Sequence, residues 1–172
     1  MAECRRDLTL RSTEEIRIPP LENMSMDQLI SLKERVMRIN VVIHAKAVRT
    51  ALDYLQSKPQ YSDLEWQPLK ASGAHGVDLM GTKGSEVRVV AEVKTDMLTG
   101  TDARKKERIE NDLLRLHTQY PAADRYFFTI YDKTADFAHE LLCKRDLEKK
   151  IITLNLMSNQ HGASARETIT VL

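Results

Sequence analysis

The sequence predicts an α/β domain, a mixed β-sheet flanked by helices. Three observations predict it. A long run of apolar residues at helical spacing comes first. Three short segments follow, the last of them rich in β-branched residues, and the last two are separated by a turn bounded by glycines. Strand-like and helix-like segments then alternate through the C-terminal half.

Residues 1–23 are mixed in charge, hold no sustained period and contain Pro19-Pro20, a pair that forbids regular helix; an arm or a short edge strand is expected there. Ser25 and Gln28 form a capping box, with Met24 placed to staple onto Leu29, so a helix starts at Ser25. Leu29, Leu32, Val36, Met37, Val41, Ala45, Val48, Leu52 and Leu55 continue it until Lys58-Pro59, as one helix or as two with a break near Asn40.

Strands are expected over residues 64–70, 77–80 and 87–95, divided by Ser72-Gly73 and by the turn Gly81-Thr82-Lys83-Gly84, which makes the last two a hairpin. After Thr101-Asp102, Ile109, Leu113 and Leu116 share one face of an amphipathic helix that Tyr120-Pro121 ends. A strand over 126–131, a helix over 134–147 carrying Phe137, Leu141 and Leu142, and a strand over 151–156 complete a core domain of residues 24–157. Residues 158–172 are expected as a polar loop and a terminal strand or tail. The strand–helix–strand piece requires a parallel, right-handed crossover, whereas the hairpin is antiparallel.

At 172 residues the chain suits one domain able to bury its own core. Cys4 and Cys143 lack any zinc-binding spacing and are expected as reduced thiols. The first twenty residues hold neither a signal-peptide core nor a membrane span, so a cytoplasmic protein without a membrane partner is expected. With 26 Lys+Arg against 25 Asp+Glu, total charge draws no nucleic acid; such binding would need local clusters of cations.

The chemistry concentrates in the hairpin. Along 87–94, Val87, Val89, Ala91 and Val93 are expected on one face and Arg88, Val90, Glu92 and Lys94 on the other. Hairpin pairing brings Asp78 toward Glu92. Charges in so β-branched a strand are costly unless they bind a metal or one another, so a metal site and a structural Asp78–Glu92–Lys94 ion cluster are the two readings. Two carboxylates can hold Mg²⁺, which activates water and neutralises an anionic phosphate, and Lys94 can place positive charge where negative charge grows.

Gly76-Val77-Asp78 on one strand and Glu92-Val93-Lys94 on the next, after a helix and before a helix and strand, resemble the PD-(D/E)xK nuclease superfamily over about residues 41–131. The resemblance implies a restriction-endonuclease-like αβββαβ core. It implies Asp78 and Glu92 as Mg²⁺ ligands (Mn²⁺ able to substitute), the Val93 carbonyl as a further ligand, and Lys94 as the catalytic lysine. Val77 stands where the family has proline. Asp53 and Glu34 are the candidates for the extra acidic residue that some members carry on the first helix.

The activity implied is a Mg²⁺-dependent DNA endonuclease without an organic cofactor. A small type II restriction enzyme working as a homodimer leads; a junction-resolvase type of repair or recombination nuclease and a nuclease-fold module that binds without cutting are the alternatives. Candidate DNA contacts are Arg104, Lys105, Lys106 and Arg108 on the helix after the acid–lysine strand, and Arg35, Arg38, Lys46 and Arg49 as a stripe on the first helix. His75, Thr95 and Asp96 flank the motif. A second acid-x-Lys, Glu148-Lys149-Lys150, is expected as a solvated helix end.

Overall fold

The structure, a computed structural model, describes residues 23–67, 76–99 and 102–157. The arm before Asn23, the far end of the 64–70 strand, His75 and the C-terminal tail lie outside the described residues.

The chain divides into two compact units, one ending at Met37 and the other starting at Arg38. Helix α1, Met26–Gln56, contributes its first turns to the former and the rest to the latter. Its capping box forms: the Ser25 N–H donates to Gln28 Oε1 at 2.8 Å and the Gln28 N–H to Ser25 Oγ at 3.3 Å. Of the two forms open to it, one helix or two with a break near Asn40, the single helix is the one present. One asparagine costs a helix well under about 1 kcal/mol, too little to interrupt it.

In the second unit the buried side of α1 is Ala47, Val48, Ala51, Leu52 and Leu55. A short 3₁₀ turn at Pro59–Tyr61 leads into β1 (Glu65–Trp66), β2 (Leu79–Lys83) and β3 (Glu86–Lys94). Then come α2 (Ala103–Gln119), β4 (Asp124–Thr129), α3 (Asp132–Lys144) and β5 (Ile152–Asn155). The sheet order is β1-β2-β3-β4-β5. The β1–β2 and β2–β3 pairs are antiparallel, whereas β3–β4 and β4–β5 are parallel. The protein is therefore α/β, with a mixed five-stranded sheet flanked by helices.

Each face of the sheet has its own core. Leu79, Val89, Ala91, Val93, Tyr126 and Phe128 pack with the buried side of α1. Val90 and Phe127 pack on the other face with Ile109, Leu113 and Leu116 of α2 and Ala138 and Leu142 of α3. Phe127 and Phe128 are both fully buried, on opposite faces, as the two-residue alternation of a strand requires.

The β2–β3 hairpin corrects two expectations. Its turn is Gly84-Ser85, not Gly81 to Gly84, and Gly84 supplies the positive φ of 60° that such a turn needs. Gly81 lies inside β2, where a Cβ would stand 2.8 Å from Val89 Cγ1 and 3.0 Å from Leu64 Cδ1; it is a glycine of close packing. The pairing also slips between Gly81 and Thr82: Gly81 faces Val89 but Thr82 faces Val87. The extra β3 residue is a bulge that reverses the alternation, so Val87 packs with the cluster of Val90 rather than with Val89, Ala91 and Val93.

Elsewhere boundaries move by a few residues: β4 starts at Asp124, and α3 runs from Asp132 to Lys144, three residues short of the end expected at 147. Glu148-Lys149-Lys150 consequently falls in a turn after α3, not on its last turn. Among the described residues, no helix is long and apolar enough to cross a membrane.

Candidate functional site

A cavity of about 480 Å³ opens at the end of β3, among the start of β2, α1 and α2; Asp78, Glu92, Lys94, His44, Arg108 and Asp112 are among its lining residues. The hairpin register builds its first half. Leu79 pairs with Ala91, which sets Asp78, immediately before β2, across from Glu92. Asp78 Oδ2 accepts the Val93 backbone N–H at 2.8 Å, a charge-assisted bond that fixes the carboxylate over the end of β3. Because amide and carbonyl of one strand residue turn to the same side, the Val93 carbonyl is directed toward the β2 side as well.

Beyond the bulge the alternation is regular, so Glu92 shares its face with Val90, under α2. Glu92 is 5% exposed, yet both oxygens are paired. Lys94 Nζ donates to Oε1 and Arg115 Nη2 to Oε2, each at 3.0 Å. Asp112 closes the figure, with Oδ2 at 2.7 Å from Lys94 Nζ and Oδ1 at 2.9 Å from Arg115 Nη2. Two carboxylates and two cations thus alternate around a closed ring, the arrangement that makes half-buried charge tolerable.

The proton affinities follow from this crowding. Burial raises the Glu92 carboxyl; Lys94 opposes that rise, while Asp78 and Asp112 add to it. Burial pulls the Lys94 ammonium down, but Glu92 and Asp112 outweigh it and the net shift is upward, so Lys94 stays charged. His44 Nε2 lies 3.6 Å from Asp78 Oδ1. The Asp78 carboxylate beside it, chiefly, raises the imidazole against the opposing effect of burial.

Among the described residues no three His, Cys, Asp or Glu side chains form a ready metal cage. Mg²⁺ needs none: it takes one or two carboxylates and completes its shell with water and substrate oxygens. Asp78, Glu92 and the Val93 carbonyl are hard oxygen donors around one cavity, and they fit that mode.

The other candidate residues scatter. Of the four α2 cations named as candidate DNA contacts, Arg108 lines the cavity. Lys105 donates to the Met97 carbonyl at 3.0 Å, Lys106 sits 5.5 Å from the centre of the Phe137 ring, and Arg104 is exposed. Arg38, Lys46 and Arg49 are exposed and, by helical period, fall away from the buried side of α1. Arg35 is exposed in the N-terminal unit. Asp53 pairs with Arg49 at 3.0 Å, and Glu34 belongs to the N-terminal unit, so the α1 side chain at Asp78 is His44. Thr95 and Asp96 line the cavity, and the Asp96 carbonyl accepts the Thr134 hydroxyl at 3.0 Å.

Among the ionisable residues of the cavity, His44, Asp112 and Arg115 lie outside the motif and its flanking candidates. The first two carry a signal. His44 stands one turn before Val48 on the apolar stripe of α1. Asp112 interrupts the stripe of α2, three residues after Ile109 and four before Leu116. A charged or polar residue in such a position must find a buried partner. Arg115 carries no comparable mark.

The chain is thus an α/β protein whose mixed sheet ends in a polar cavity with a ring of four charges. Compared with models of protein families, with curated proteins and with solved structures, it matches none.

Proposed function

We propose that this chain is a metal-dependent endonuclease that hydrolyses DNA phosphodiester bonds, on a restriction-endonuclease-like αβββαβ core. The observation that carries the reading is the convergence of Asp78, Glu92 and Lys94 at one cavity, Asp78 just before one strand and the other two on the next strand of a hairpin that precedes a helix and a parallel strand.

Asp78, Glu92 and the Val93 carbonyl would hold Mg²⁺, or Mn²⁺ in its place, and a bound ion of this kind supplies an activated water and charge neutralisation at phosphate. Lys94 keeps its proton and offers the ammonium to the oxygen on which negative charge develops. Asp112 limits the positions that ammonium can take. Arg108 presents a cation from α2 to the approaching phosphate backbone. A small type II restriction enzyme, acting as a cytoplasmic homodimer, is the specific form proposed, because two-fold protein symmetry matches a palindromic site.

The closed ring favours a second reading, a nuclease-fold module that binds without cutting, since all four oxygens of Glu92 and Asp112 are already paired. Incubation with supercoiled plasmid, phage DNA and a synthetic four-way junction in Mg²⁺ or EDTA decides between them. Discrete Mg²⁺-dependent fragments are expected, absent in Asp78→Ala; Lys94→Ala should lose cutting but retain DNA binding in Ca²⁺. Cutting of four-way junctions alone would make the chain a structure-specific nuclease, and no cutting of any of these DNAs would leave the binding module.

A further inference from the structure

The acid–lysine motif accounts for half of the charged ring, and α2 supplies the rest. Arg115 holds Glu92 and Asp112 through the single nitrogen Nη2, while its Nε is buried and makes no hydrogen bond. That grip lacks the two parallel bonds of a guanidinium fork and is the weaker form of an arginine–carboxylate contact. Asp112, for its part, touches both cations. The ring can therefore open on its Glu92 side without stranding a charge: Lys94 and Arg115 each keep Asp112 when Glu92 turns to another partner.

We propose that Asp112 and Arg115 are positioning residues that set the affinity of the Asp78–Glu92 pair for a divalent cation. Arg115 is the displaceable counter-ion of Glu92, and Asp112 retains Lys94 and Arg115 once the cation has taken its place. This rests on the metal-dependent reading above. It gives the two α2 residues opposite signs. Removing Arg115 takes away a competing positive charge. Removing the Asp112 charge leaves two cations unneutralised beside the incoming one.

Isothermal titration of the full chain with Ca²⁺ tests it, using Arg115→Gln, Asp112→Asn and Asp112→Glu, with thermal melts to establish that each is folded. Arg115→Gln should tighten Ca²⁺ on the order of tenfold and Asp112→Asn should weaken it by a similar factor. Asp112→Glu should recover most of the loss. At saturating Mg²⁺, Asp112→Asn should lower kcat for DNA cleavage with little change in KM, since Lys94 is then free to leave its position.

Both substitutions shifting affinity in the same direction, or each leaving it within about twofold, would overturn the proposal. If Asp112→Asn fails to fold, the sign of the Arg115→Gln shift decides alone. A wild-type chain that neither binds Ca²⁺ nor cuts DNA overturns the metal-dependent reading and this one with it. A wild-type chain that binds and cuts, with unmoved variants, overturns only this one.

Discussion

Gly81 and Val89 meet so closely that the hairpin has no room for a side chain between them. Gly81→Ala would set a methyl 2.8 Å from Val89 Cγ1, a buried atom that can yield only by moving β3 or its own rotamer. Overpacking of this kind costs roughly 1–3 kcal/mol. A urea titration should show a lowered midpoint at unchanged slope; an unaltered midpoint would mean that the bulge beside Gly81 absorbs the methyl. The same scale explains what the sequence could disclose of the site. The convergence of Asp78, Glu92 and Lys94 on one cavity was legible because hairpin pairing and the side-by-side placing of Glu92 and Lys94 are local rules, which hold although the turn lies further along. His44, Asp112 and Arg115 come from two helices, and only packing brings them to the cavity. The polar residues on apolar stripes marked two of them as needing partners without saying which.

At the scale of elements, a carboxylate ties Thr99 to the start of α2. Asp102 accepts the Thr99 hydroxyl at 2.6 Å and the Thr99 N–H at 2.7 Å, with Lys105 Nζ at 3.3 Å. The Thr99 bonds, chiefly, lower its pKa to about 2. A folded-state value below the unfolded one means that the contribution to stability is complete above about pH 4 and disappears as pH falls through about 2. Asp102→Asn should therefore be less stable than wild type at about pH 5, with the gap closing toward pH 2 in acid titrations of unfolding. A gap independent of pH would assign the effect to the neutral hydrogen bonds. Elements as such were largely readable: the capping box, the Tyr120-Pro121 stop and the order of strands and helices needed only period and punctuation. The hairpin turn was misplaced because two glycines bracketed it. One serves the turn and the other serves packing, and composition does not distinguish a positive φ from a close approach.

At the scale of the molecule, one sheet serves two cores, and the cavity lies where the antiparallel and parallel halves meet on β3. The division of the chain at Met37 was not legible, because the helical period of α1 runs through it unchanged. The tight Gly84-Ser85 turn also has a consequence in time. Asp78 and Glu92 are brought together by a hairpin, which closes in microseconds, whereas pairing β3 with β4 must wait for a longer loop to be ordered around α2. On that order Asp78 and Glu92 would meet first with Lys94 beside them, and the charges of α2 would arrive later. Gly84 is open on all sides and differs from other residues only in its backbone, so Gly84→Ala adds about 1 kcal/mol of left-handed strain and nothing else. If the hairpin is the nucleus, refolding in stopped-flow slows about fivefold and unfolding stays as it was; an accelerated unfolding limb instead would place the birth of the sheet at its parallel half.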